Sequence, residues 1–143
     1  MATKNRGQTK FTKKIEQLGN ITWLDRLHDM RKVYSKTRIL IVPSQWREAW
    51  GRVVSEAHMS GIPVLASNIG GLPESVGPGG QLLDPTDVEA WNSALRTMWN
   101  DPEVWSDYST SAKNFSLRSD LRENDIAESY ERALRSFSKM QRR

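Results

Sequence analysis

The sequence contains no cysteine. Disulfide bridges, thiol nucleophiles and thiolate metal sites are thereby excluded. Histidine is almost as scarce: only His28 and His58 occur, far apart and without an acidic ligand set, so no metal site is expected. Long apolar runs are missing too. The longest purely aliphatic stretch is Ile39–Val42, far short of a membrane span. No positively charged start leads into an apolar segment, so nothing reads as a secretory signal and a cytoplasmic protein is expected. A chain of 143 residues fits one domain with a core of ordinary size.

Acidic residues are absent from both ends. Residues 1–14 carry Lys4, Arg6, Lys10, Lys13 and Lys14, and residues 132–143 carry Arg132, Arg135, Lys139, Arg142 and Arg143. Each end contributes +5, so a net charge of +4 leaves −6 for residues 15–131. The basic balance therefore belongs to the tails. A nucleic-acid module would concentrate its basic residues on a folded face, interleaved with aromatics, and no nucleic-acid partner is expected. Solvated ends, or weak contact with an anionic membrane, account for the tails, which would make the protein membrane-peripheral. Residues 1–14 are read as a basic disordered tail, and 15–143 as the folded domain.

What is present alternates between two periodicities. Phe11, Ile15 and Leu18 repeat at helical spacing and stop at Gly19-Asn20. Ile21–Leu24 reads as a short strand. The segment DRLHDMRKVYSK follows with Leu27, Met30, Val33 and Tyr34 on one helical face. RILIVPS, IPVLAS and GQLL read as further strands, the first two as buried ones, the first because its apolar run is continuous and β-branched. A helix starting near Gly51 should end at Gly61, two residues before Pro63. The glycine-rich stretch GGLPESVGPGG reads as a loop. From Thr86 onward the chain is helical: Asp87 caps a helix with Val88, Trp91, Leu95, Met98 and Trp99 on one side, Trp91 and Trp99 being read as packing residues. Pro102 starts another with Val104, Trp105 and Tyr108. A last amphipathic helix over about 120–137 has Ile126, Tyr130, Leu134 and Phe137 as its stripe.

Strands alternating with helices imply an α/β fold, a Rossmann-like parallel sheet with helices on both faces. Such sheets bind ligands where the chain leaves the carboxyl end of a strand and enters a helix. PSQWREAWGRVVSEAHMSGIPVLAS occupies one of these places. It sets Glu48 and Glu56 on either side of the seven residues AWGRVVS. Free N–H groups at the helix start, around Trp50 to Val53, form a ready site for a phosphate or diphosphate, and Gly51 has no side chain to obstruct it. Helical side chains lean back toward the N-terminus, so the Glu56 carboxylate can accept hydrogen bonds from a vicinal diol such as a ribose. Glu48 would face whatever lies beyond the phosphates. The bland alternative is that both glutamates decorate a surface helix. Arg52 is either a phosphate contact or an exposed helix-start arginine. Gly70 and Gly71 either permit a tight turn or approach the ligand. His58 is read as a packing or surface residue, and Trp46 as a half-buried loop aromatic.

The stretch from Pro43 to Glu74 resembles the donor-binding motif of retaining glycosyltransferases with a GT-B fold, glycosyltransferase family four. The matching residues are Pro43-Ser44, Glu48, Trp50-Gly51, Glu56-Ala57, Gly61-Ile62-Pro63-Val64 and Gly70-Gly71-Leu72-Pro73-Glu74, with weaker similarity from about Ile21 to Asn114. The resemblance implies that Glu56 binds the ribose, that Glu48 is the catalytic carboxylate facing the donor sugar, and that the backbone of Trp50, Gly51, Arg52 and Val53 cradles the diphosphate. It implies a nucleoside-diphosphate sugar as substrate, no metal or other cofactor, and an unidentified acceptor. The matched region is only part of the family's second domain. Its first two strands, its basic pair beside the leaving diphosphate and the N-terminal domain have no counterpart, so that domain or a partner chain would have to complete the cleft. The expectation is therefore an incomplete GT-B C-terminal domain with a helical C-terminal end, which binds donor but transfers nothing alone. The alternatives are a non-catalytic nucleotide-sugar-binding module and a fragment of a nucleotide-sugar epimerase.

Overall fold

The structure, a computed structural model, describes residues 14–15, 17–119 and 122–140. The chain forms two compact units, residues 1–30 and 31–143. In the first, Lys14 and Ile15 are helical, the Leu18 amide donates to the Ile15 carbonyl at 3.1 Å, and Gly19 turns the chain with φ 67°. Phe11, and all of the basic tail except Lys14, lie outside the described residues. Ile21–Leu24 is not a strand; it has no regular structure, and Ile21, Trp23 and Leu24 are exposed. β-Propensity is realised only through pairing and burial, and no described strand pairs with this segment.

The second unit holds the ordered architecture. Its elements are α1 (Arg31–Tyr34), β1 (Leu40–Val42), α2 (Arg52–Met59), β2 (Val64–Ser67), α3 (Leu72–Val76), a 3₁₀ turn (Gly77–Gly79), β3 (Gly80–Leu83), α4 (Val88–Asn100), α5 (Pro102–Phe115) and α6 (Glu123–Met140). The helix expected over DRLHDMRKVYSK is thus reduced to the single turn of α1. The stretch read as a glycine-rich loop contains α3, with Pro73 in its first turn where the missing N–H costs nothing.

The strands form a parallel sheet in the order β1-β2-β3. Ile41 pairs with Leu65, and Leu65 with Gln81. Because successive side chains point to opposite faces, the sheet separates two cores. Val42, Val64 and Ala66 pack with Val54 and Ala57 of α2 and with Leu72 and Val76 of α3. Leu65 and Leu83 pack on the other face with Ala94 and Met98 of α4, against Trp105 and Tyr108 of α5. Helices therefore cover both faces, as the strand–helix alternation requires. All of β2 is buried.

β1 is an edge strand among the described residues, which corrects its reading as a buried one: only Val42 is buried, and Ile41 is 42% exposed. Ile41 lines an open hollow with Ile39, Leu95 and Trp99. Trp99 is 56% exposed and is not a core residue; the Arg38 guanidinium lies over its ring at 5.6 Å. Val88 is exposed as well. Trp91 is half-buried and donates its indole N–H to the Asp84 carbonyl at 2.8 Å. The apolar stripe of α6, Ile126, Tyr130, Leu134 and Phe137, stands exposed, so its helical spacing marks a face and not a core.

Caps set where the helices begin. The Ala90 amide donates to Asp87 Oδ1 at 2.9 Å at the start of α4, as expected. At α5 the amides of Glu103 and Val104 donate to Asp101 Oδ1 at 3.0 and 3.2 Å. No acid begins α2; its N-cap is Gly51 in the left-handed conformation, φ 73°, with no side-chain cap.

Candidate functional site

The carboxyl ends of β1 and β2 lie side by side, since Val42 is paired with Ala66. The loop that leaves β1 carries Glu48 and delivers the chain to Gly51 and α2. The loop that leaves β2 carries Gly70 and Gly71 and delivers it to α3. These two loops are joined by the Gly71 amide, which donates to the Glu48 carbonyl at 2.8 Å. Their approach is closer than any side chain permits: a Cβ on Gly71 would sit 2.1 Å from the Ala49 carbonyl oxygen, and one on Gly70 would sit 2.6 Å from that of Glu48. The paired glycines thus serve backbone contact, which holds the Glu48 loop.

Gly51 is constrained twice. Its left-handed φ favours glycine, and an added Cβ would lie 2.6 Å from Leu72 Cδ2 of α3. The turn it makes brings the chain into α2, where the first amides, those of Arg52 and Val53, have no intrahelical acceptor. The Val54 amide bonds back to the Gly51 carbonyl at 2.9 Å. Arg52 is exposed, and Val53 packs at the border of the first core. Trp50 is turned into the protein: its indole N–H donates to Ser55 Oγ at 3.0 Å, and the Arg118 guanidinium lies over its ring at 5.2 Å and over Phe115 at 3.8 Å.

Each glutamate is held by a hydroxyl. Ser44 Oγ donates to Glu48 Oε1, and Tyr34 Oη donates to Glu56 Oε2 at 2.7 Å. Both carboxylates are partly buried. A carboxylate has four lone-pair sites, so one hydroxyl donor orients each group and leaves most of its accepting capacity open. The Tyr34 phenol is pushed up to about 12, first by burial and then by its hydrogen bond to and the charge of Glu56, so it remains a donor throughout the neutral range.

Two residues fall outside the arrangement. His58 is 1% exposed, edge-on to Phe115 with ring centroids 6.2 Å apart, and its Nε2 has no hydrogen-bond partner. Burial lowers it to about 4; the Gly79 backbone opposes the shift and the Arg118 charge adds to it. It is a neutral packing residue. Trp46 is 72% exposed, not half-buried. Among the described residues no group of three acidic, histidine or cysteine side chains is placed to hold a metal.

Sequence reasoning assigned no site role to Tyr34, Ser44 or Arg118. Ser44 and Glu48 are four apart, which was a usable signal. Tyr34 and Glu56 are 22 apart, and only the fold brings them together.

A parallel sheet with helices on both faces, and glycine-tied loops at the carboxyl ends of its strands, define a Rossmann-like half of the GT-B architecture. The chain belongs to the family described as glycosyl transferases group 1, whose model matches residues 5–115. It is 44% identical over 74 residues to a D-inositol 3-phosphate glycosyltransferase of Corynebacterium glutamicum (strain R), covering 50% of this chain and 18% of that protein. It is 34% identical over 93 residues to the O-antigen chain mannosyltransferase B of Escherichia coli, covering 62% of this chain and 24% of that protein. Among solved structures it resembles a sucrose-phosphate synthase from Thermosynechococcus elongatus, with a TM-score of 0.76, 25% identity, and coverage of 95% of this chain and 36% of that one. Anabaena HepE in complex with UDP shares the fold at a TM-score of 0.76 and 22% identity, covering 89% of this chain and 36% of that one. The chain thus spans about a fifth of the curated relatives' length and about a third of those solved chains'. No helix among the described residues is long and apolar enough to cross a membrane.

Proposed function

We propose that this chain is the donor-holding part of a retaining glycosyltransferase, taking a nucleoside-diphosphate sugar and no metal. The observation that carries this reading is the pair of hydroxyl-oriented carboxylates, Glu48 in the loop before α2 and Glu56 within it, with no side-chain cap at its start, Gly51. The first amides of α2 take the diphosphate, where backbone N–H groups and the helix dipole favour anions. Glu56 takes the two ribose hydroxyls. Glu48 faces the sugar, orients its hydroxyls and stabilises positive charge as it develops at the anomeric carbon. HepE, a relative in fold, is described in complex with UDP and with UDP-glucose, which supports a nucleoside-diphosphate ligand.

Transfer itself belongs to the whole enzyme. Positioning an acceptor hydroxyl against the donor contributes several kcal/mol to such a reaction, on the order of 7–11 at best, and requires a second wall facing this site. The 143 residues alone are therefore expected to bind donor without turnover. Calorimetry with UDP, GDP and ADP tests the reading: the parent should bind at least one, and Glu56→Gln should weaken it by roughly 1.5–3 kcal/mol, the worth of hydrogen bonds to a charged group. Equal affinities in parent and variant would overturn it.

A further inference from the structure

We propose that Tyr34 is a positioning residue for the Glu56 carboxylate, and that its hydroxyl sets how strongly the site discriminates a ribose diol from a sugar lacking it. This rests on the reading of Glu56 as the ribose ligand and goes beyond it, since nothing in the Pro43–Glu74 motif includes residue 34.

The geometry is specific. Tyr34 closes the short helix α1, and Glu56 lies in the middle of α2, 22 residues later. The phenol reaches across to Glu56 Oε2 at 2.7 Å, the length of a charge-assisted bond with an ionised acceptor. Tyr34 also packs against the first core, which fixes its ring and so the direction of its hydroxyl. A glutamate on a helix surface has three rotatable bonds, and a diol selects only the rotamer that presents its oxygens together. Fixing Oε2 through a rigid phenol removes that search before the ligand arrives. One donor also leaves the two hydroxyls of a ribose enough lone pairs. Since the phenol stays protonated up to about pH 12, at neutral pH it can donate to Glu56 and carries no charge to repel it.

Any residue filling the Tyr34 site would affect stability, so the decisive readout is selectivity. UDP, GDP and ADP are titrated into the full chain, and the tightest is compared with its 2′,3′-dideoxy analogue for the parent, Tyr34→Phe and Glu56→Gln. Tyr34→Phe keeps the ring and should lose affinity for the ribonucleotide on the order of five- to tenfold, with the dideoxy analogue unchanged. The ratio between the two ligands should shrink in Tyr34→Phe and nearly vanish in Glu56→Gln. If Glu56→Gln collapses the ratio while Tyr34→Phe leaves it at the parent value, the positioning role is overturned and the ribose reading stands. If Glu56→Gln leaves it untouched, or the parent binds no diphosphate, the ribose reading falls and this inference with it. The parent alone gives a second measurement that does not require a folded variant. The Cζ resonance of Tyr34 in carbon-13-labelled protein should move with the ribonucleotide and not with the dideoxy analogue. An equal response to both overturns the proposal.

Discussion

The amide of Gly71 donates to the carbonyl of Glu48 at 2.8 Å, joining the loop after β2 to the loop after β1. Through this bond the position of a candidate ligand residue depends on a turn more than twenty residues further along the chain. The contact leaves no room for a side chain, because a Cβ on Gly71 would meet the Ala49 carbonyl oxygen at 2.1 Å. Gly71→Ala is expected to push the two loops apart, destabilising the fold by about 1–3 kcal/mol, the usual cost of overpacking. Urea denaturation measures this directly. A variant as stable as the parent would mean that the loops are free to separate.

Gly51 and Leu72 are linked in the same way across α2 and α3. Gly51→Ala places a Cβ 2.6 Å from Leu72 Cδ2 in a left-handed conformation, so it suffers both strain and collision. Leu72→Ala removes a fully buried side chain and should cost about 2–5 kcal/mol. In the double variant the collision has no partner. The two losses should then sum to more than the loss observed in the double variant, with a coupling of at least ~0.5 kcal/mol. Strict additivity would show that the backbone strain at Gly51 is the whole penalty.

Much of this was legible in the sequence, and the misses have physical causes. The continuous apolar runs located β1 and β2, the short GQLL after the glycine-rich stretch located β3, and glycine with proline located the end of α2. Asp87 announced its own helix. Ile21–Leu24 and Ile41 were misread because strand propensity says nothing of whether a neighbour exists, and the described sheet ends at β1. Trp99, Ile126, Tyr130, Leu134 and Phe137 keep the spacing of a buried stripe, yet stand exposed. The motif from Pro43 to Glu74 pointed to the candidate site, since its residues are local or sit on adjacent strand ends. Tyr34 and Arg118 were out of reach because their contacts exist only after folding.

His58 provides a pH test. Its folded value is lowered to about 4 from an ordinary 6.5, so between these limits the unfolded chain binds the extra proton. Stability should thus be level above about pH 6.5 and fall as the pH drops toward 4. Below that both states are protonated and this contribution is exhausted. After allowance for screening the loss is on the order of 2 kcal/mol. His58→Leu retains the volume and removes the titration, so its melting temperature should decline less between pH 7 and 4.5. Parallel declines in parent and variant would assign the acid sensitivity to the carboxylates instead.

Glu48 separates sugar recognition from nucleotide recognition. Its side chain is oriented by Ser44 and its backbone by Gly71, so truncating the carboxylate need not move the loop. The amides of Arg52 and Val53 and the Glu56 carboxylate are left in place, and these serve the diphosphate and the ribose in the proposed site. Glu48→Ala should therefore weaken a nucleoside-diphosphate sugar about tenfold or more, the worth of one or two charge-assisted bonds. The affinity for the plain diphosphate should remain within about twofold of the parent. Ser44→Ala should give a smaller loss of the same kind, because it releases the carboxylate without removing it. Both variants are measured by calorimetry with UDP against UDP-glucose, and with the guanosine pair if UDP does not bind. Equal losses for sugar-bearing and plain ligands would place Glu48 at the phosphates, and the orientation proposed for the donor would have to be reversed.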